Sequence, residues 1–330
     1  MRRLTFFLAA VMLAVFAFSN PSGDPAAHGG VLLVTNKSGN TLSFIDPDTG
    51  EELERIATGP GPHEVAVTPD GKLAFVANYS SNNLTVVDVT RREAVGMVDL
   101  GEHTRPHGIV ITKDGTSVWA TTEGSQELVE VDVASRQVKR AIKTGQRVTH
   151  MVILVESRGK AYTANIGSGN VTSIDTKRGE VIRQIPTGAG AEGIAVTTDD
   201  RYVLVTNREA GTLSVIDASS DEVVYDMEIG GFPIRVEVTP DGKRAFVSQA
   251  TDRTLLEIEV GTWAVGRKLE VGSMPVGIEI RPDGGFAYVA NTQDDMLTVV
   301  DLESFDASMT IQGGDEPDGM AYVRIGAHDH

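Results

Sequence analysis

One position recurs along this chain with a period of 42 to 44 residues. It is the second residue of the pairs Pro62-His63, Pro106-His107, Thr149-His150, Ala191-Glu192, Pro233-Ile234, Pro275-Val276 and Pro317-Asp318. These residues fall at 63, 107, 150, 192, 234, 276 and 318, so successive spacings are 44, 43, 42, 42, 42 and 42. A chain of 330 residues could hold two domains by length alone. A repeat this regular instead means one supersecondary unit copied and packed against itself.

Each unit carries the same succession of patterns. An apolar strand leads to a turn such as Pro69-Asp70-Gly71, Pro240-Asp241-Gly242 or Pro282-Asp283-Gly284. Proline presets φ for such a turn, and glycine accepts the conformation that a side chain resists. A second strand follows (residues 74–78, 203–207 and 287–291), then a polar loop. A third strand ends in Asp (residues 84–88, 171–175, 213–217 and 297–301), and a more polar fourth closes the unit. Four strands per unit of about 42 residues predicts propeller blades, because a lone four-stranded sheet cannot bury both of its faces.

The chain ends fix the blade count. Residues 31–59 supply strands two, three and four of a blade without the first. Residues 318–325 supply a first strand and no more. The sequence therefore predicts an all-β, seven-bladed propeller of four antiparallel strands per blade. Its C-terminal strand pairs with the N-terminal three and closes the ring. The expected boundaries are a secretory signal at 1–19, a flexible linker at 20–29, the propeller at 30–325 and a tail at 326–330. The signal is read from Arg2 and Arg3, the apolar run 4–18 and the small residues Ala17 and Ser19. It predicts an exported chain, periplasmic or secreted, with no membrane span once the signal is cleaved.

The strand endings Val34-Thr35-Asn36, Val76-Ala77-Asn78, Val205-Thr206-Asn207 and Val289-Ala290-Asn291, with Ser214-Val215-Ile216-Asp217 and its equivalents, resemble the YVTN-type β-propeller repeat. The resemblance covers residues 31–325. It implies the propeller fold and leaves function open. Similar propellers carry haem d1 in nitrite reductase or a copper cluster in nitrous oxide reductase, and others are lactonases.

Composition narrows the partners. A formal charge of −17 argues against nucleic acid, whose phosphates need a basic surface. The absence of Cys rules out disulfides, thiolate catalysis and Cys-ligated metals. A small anionic ligand or a protein bound on the loop face remain as partners, and the chain is expected to be monomeric.

In a propeller the recurrent position lies at the mouth of the central channel. Read around the ring, it is His63, His107, His150, Glu192, Ile234, Val276 and Asp318. Three of the seven histidines in the chain thus occupy neighbouring blades. Neutral imidazoles that converge, with a carboxylate beside them, can hold a transition metal. The expected ligands are His63, His107, His150 and Glu192; Cu, Zn, Fe and Ni are not distinguished. The competing reading is that the histidines hydrogen-bond channel water and neighbouring carbonyls.

Arg105, Arg147 and Arg235, with Asp318, are the expected ligand-binding set, since guanidinium groups pair bidentately with carboxylate or phosphate. Pairing of these arginines with nearby Glu or Asp is the alternative. Arg208, Glu123 and Tyr79 are placed on the same rim. The repeated Asn and Asp residues read as turn caps, Trp119 as core and Trp263 as partly exposed. Whether the chain is an enzyme stays open. A site for a small anion and a non-enzymatic scaffold that presents its loops are both carried forward.

Overall fold

The computed structural model describes residues 29–324. The expected signal at 1–19, most of the expected linker and the expected tail at 326–330 lie outside the described residues. Seven four-stranded antiparallel sheets make up the fold. Blade one combines the C-terminal strand Pro317–Arg324 with Gly30–Asn36, Thr41–Ile45 and Glu52–Ala57, in that order from the axis outward. Blades two to seven follow as residues 62–99, 106–143, 149–186, 191–228, 233–270 and 275–312. The closure is antiparallel, with Val31 opposite Val323 and Leu33 opposite Ala321.

Strand periodicity explains why the middle strands are apolar throughout. Side chains alternate between the two faces of a sheet, and each blade has a neighbour on both faces. In Gly30–Asn36, Val31 and Leu33 pack with Val65 and Val76 of blade two. Leu32 and Val34 pack with Tyr288, Ala290 and Leu297 of blade seven. The outermost strands have solvent beside them and are correspondingly polar, as in Glu52–Ala57.

The repeated polar residues are structural. The Asn78 amide donates to Asn83 at 2.7 Å and Thr85 at 2.9 Å, and the Asn207 amide bonds Thr212 and Ser214 in the same way. The Asp175 carboxylate accepts the backbone N–H groups of Lys177 and Arg178 at 2.9 and 2.8 Å, closing the turn to the fourth strand. Trp119 is core, as expected. Trp263 is buried too, against expectation, because it packs edge-on to Tyr202 at 5.3 Å and beside Tyr225.

The innermost strands are irregular at one place in every blade. Pro62 pairs with Asn78, yet the next pair is Val65 with Val76, so His63 and Glu64 fall out of register. The same break follows Pro106, Thr149, Ala191, Pro233, Pro275 and Pro317. A bulge bends the strand and re-aims its side chain. Hydroxyls of the second strands replace lost ladder bonds and tie blades together. Thr35 donates to the His63 carbonyl at 2.8 Å, and Thr206 to that of Ile234 at 2.7 Å. Inner strands approach closely there: a Cβ on Gly108 would come within 2.6 Å of the His150 carbonyl oxygen.

Candidate metal centre

The bulged residues make an inner ring at the channel mouth. A second ring surrounds it, formed by the residue after each second strand: Lys37, Tyr79, Glu123, Ile166, Arg208, Ala250 and Thr292. The two rings match in chemistry. Lys37 lies 3.5 Å from Asp318, Arg208 is 2.8 Å from Glu192, and Glu123 is 2.5 Å from Nδ1 of His150. Ala250 packs with Ile234 and Val276. The mouth is thus divided into a charged sector and an apolar one.

The three histidines come together as the repeat predicts. The His107 ring lies 3.7 Å from that of His150 and 4.8 Å from that of His63, measured between centroids. The Tyr79 ring lies tilted beside that of His63 at 4.7 Å and meets His107 edge-on at 5.8 Å. Its hydroxyl donates to Glu123 at 2.7 Å. Candidate ligand atoms of His107, Glu123 and His150 lie within 4.8 Å of one another. Nδ1 of His63 donates to the Gly61 carbonyl at 3.0 Å.

Electrostatics set the three imidazoles apart. Burial drives His107 well below its ordinary pKa, and the neighbouring His150 and His63 add to the effect. Burial also lowers His63. For His150 burial works in the same direction, but Glu123 and Glu192 outweigh it and raise the group to about 9. His150 is therefore a cation at neutral pH, held between two carboxylates, while His107 is neutral. Burial likewise opposes ionisation of Glu123. Hydrogen bonds from His150 and Tyr79 outweigh it and hold the carboxyl below its ordinary value. Nδ1 of His107 is buried and has no hydrogen-bond partner among the described residues.

Glu192 is adjacent to this group but otherwise engaged. One oxygen is 3.6 Å from Nε2 of His150, and the other accepts from Arg208 at 2.8 Å. Asp318 sits between Lys37 and Arg235, 3.5 and 4.0 Å away. The arginines do not form one set. Arg147 donates to the Gly167 carbonyl on its own rim. Arg235 reaches across the channel to Glu64. Arg105 stands over Tyr79, with 5.7 Å between its guanidinium carbon and the ring centroid.

The sequence places Glu123 on the rim but does not pair it with the histidines; the column after each second strand, read as a second ring, is where that carboxylate lies. Glu64 and Arg235 occupy the position after the inner ring, which is Gly at 108, 193, 277 and 319 and Met at 151. Two opposite charges in a column otherwise uncharged were the signal for a cross-channel pair.

Known proteins place the fold. The hydrazine synthase subunit beta of Kuenenia stuttgartiensis is 39% identical over 59 residues, 17% of this chain and 15% of that protein. PE-PGRS family protein PE_PGRS18 of Mycobacterium tuberculosis is 43% identical over 53 residues, 16% of this chain and 12% of that one. The matches thus span a small part of these curated relatives. The structure of Kuenenia stuttgartiensis hydrazine synthase superposes with a TM-score of 0.76 at 21% identity, covering 84% of this chain and 93% of that chain. A functionally unknown protein from Desulfotomaculum acetoxidans superposes with a TM-score of 0.79 at 14% identity, covering 89% and 99%. At these identities the structures share a fold with this chain and no more. The model of the YNCE-like beta-propeller family matches residues 3–101 and 95–283, most of the chain, and the protein belongs to that family.

Proposed function

We propose that this is an exported propeller that binds one divalent transition-metal ion at its channel mouth. His107 and His150 supply imidazole nitrogens, Glu123 is the carboxylate that holds His150 through Nδ1, and His63 flanks the centre. One observation carries this reading. Among the described residues the buried Nδ1 of His107 has no hydrogen-bond partner, although its ring lies against that of His150 with a carboxylate in reach. A buried polar atom without a partner is costly, and an ion would satisfy it. Imidazole with carboxylate suits Zn, Cu, Fe and Ni. The bound ion would polarise an oxygen of a ligand. Glu123 would fix the orientation of His150, as a carboxylate behind a metal-bound histidine does.

Elemental analysis of untagged protein tests the reading. About one equivalent of a single transition metal is expected in the wild type, or uptake of one equivalent of added Zn²⁺. The His107→Ala variant should lose it. A wild type that binds no transition metal more tightly than that variant overturns the centre. Export rests on the charged and apolar N-terminal run, and N-terminal sequencing of secreted protein would show cleavage after Ser19.

A further inference from the structure

Three of the four arginines at the mouth are engaged by Glu192, Glu64 and the Gly167 carbonyl. Arg105 has no carboxylate within salt-bridge distance among the described residues, in a chain whose formal charge is −17. Its backbone is pinned, and its side chain meets Tyr79 but pairs with no carboxylate among the described residues. The residue is left-handed at φ 57°, its N–H donates to Ser81 at 3.1 Å, and its carbonyl accepts from the N–H of Glu123 at 2.9 Å. Beside it lies a cleft of about 480 Å³ lined by Tyr79, Ser80, Ser81, Asn82, Thr104 and Arg105. That volume is in the range of small-molecule sites. Tyr79 is the wall shared by this cleft and the histidine cluster.

We propose that the cleft is the subsite for the carboxylate of a small organic acid, gripped by Arg105, whose other end reaches past Tyr79 to the His63 and His107 side of the centre. A single guanidinium fork matches the two oxygens of a carboxylate. A phosphate dianion would bring a second charge that no other cation in the cleft meets, with Glu123 close behind Tyr79. The Ser80 and Thr104 hydroxyls supply further polar contacts. The anchoring step stands without an ion, whereas the contact at the far end rests on the metal-centre reading.

Calorimetric titration with succinate and with inorganic phosphate tests this, using Zn²⁺-loaded and EDTA-treated full-length protein. Succinate should bind the EDTA-treated wild type saturably and the loaded form about tenfold tighter. Arg105→Ala should weaken binding to both by about tenfold or more, the usual size of a charged hydrogen-bond pair. Arg105→Lys should recover only part, because an ammonium lacks the fork. Thermal melting of the variants verifies folding. Arg105-dependent succinate binding with no metal uptake supports the subsite and overturns the centre. Metal uptake with succinate affinity unaltered in Arg105→Ala overturns the subsite. Phosphate bound more tightly than succinate through Arg105 overturns the carboxylate assignment.

Discussion

Glu64 and Arg235 stand 171 residues apart in sequence and meet inside the central channel. They come from blades two and six, so their ion pair spans the axis and ties opposite sides of the ring together. Both side chains are buried, and the second guanidinium nitrogen of Arg235 has no hydrogen-bond partner among the described residues. Removing one member of such a pair leaves an uncompensated buried charge, which costs about 3–5 kcal/mol. Arg235→Ala is therefore expected to lower the urea midpoint strongly, whereas Glu64→Gln combined with Arg235→Met should recover most of the loss. A single variant with an unchanged midpoint would show that the pair contributes nothing.

Deeper in the channel, Glu237 and Glu279 lie on adjacent inner strands. Burial raises Glu237 to about 7, with Arg235 pulling the other way. Burial and the nearby Glu237 raise Glu279 to about 8. Both values exceed the ordinary 4.5, so between about pH 4.5 and 8 these two groups bind more proton in the folded chain than in the unfolded one. Their contribution to stability then falls as pH rises through that window. Glu279→Gln should flatten the fall, melting higher than wild type at pH 8 and about equally at pH 4.5. Parallel melting curves for the two proteins across this range would rule out the channel carboxylates as its source.

The fold was legible because blade packing is written in local patterns. Alternation sent Val31 and Leu33 to one neighbour and Leu32 and Val34 to the other, and the incomplete first and last units specified the closure. The three histidines were legible for the same reason. Glu123 as their carboxylate was not, because its contact with His150 crosses from one blade to the next over 27 residues and depends on the bulge at Thr149. Glu192 looked equivalent in the column, yet Arg208 from the surrounding ring neutralises it. Period alone places a residue at the mouth; the partners of its side chain come from the loops of neighbouring blades.

Metal uptake should release a proton. His107 and His63 are already neutral at pH 7, since burial lowers both. His150 carries its proton up to about pH 9, so an ion that takes its lone pair must displace that proton. Zn²⁺ affinity should therefore keep rising between pH 6 and 8.5 and not level off above 7. Titrations at pH 7 in buffers of different ionisation enthalpy should show about one proton released. No release would mean that His150 stays protonated and outside the coordination sphere.

Ligand substitutions should rank by position in the cluster. Glu123→Gln removes the carboxylate that holds His150 and should weaken Zn²⁺ binding by about 10–100-fold. Glu192→Gln should cost less, because Arg208 already shares that carboxylate. Asp318→Ala should cost least, as its oxygens face Lys37 and Arg235. Competition with a chromogenic chelator measures all three, and a larger effect at Asp318 than at Glu123 would move the centre to the other side of the mouth.

Closure of the ring gives the most direct test of the fold. The strand Pro317–Arg324 is the innermost of blade one and its side chains touch both neighbouring blades. Met320 packs with Leu32 and Tyr288 toward blade seven, and Val323 with Val65 and Val76 of blade two. Cutting the chain before Glu316 removes these contacts and unpairs one whole edge of Gly30–Asn36, which otherwise bonds from Gly30 to Asn36. An open edge flanked by apolar faces favours association with other chains. The truncated protein should be recovered mainly as aggregate, or melt far below the full chain. Supplying residues 315–330 as a separate peptide during refolding should restore part of the soluble yield. A truncated chain that stays monomeric and melts with the wild type would mean that the ring does not depend on this strand.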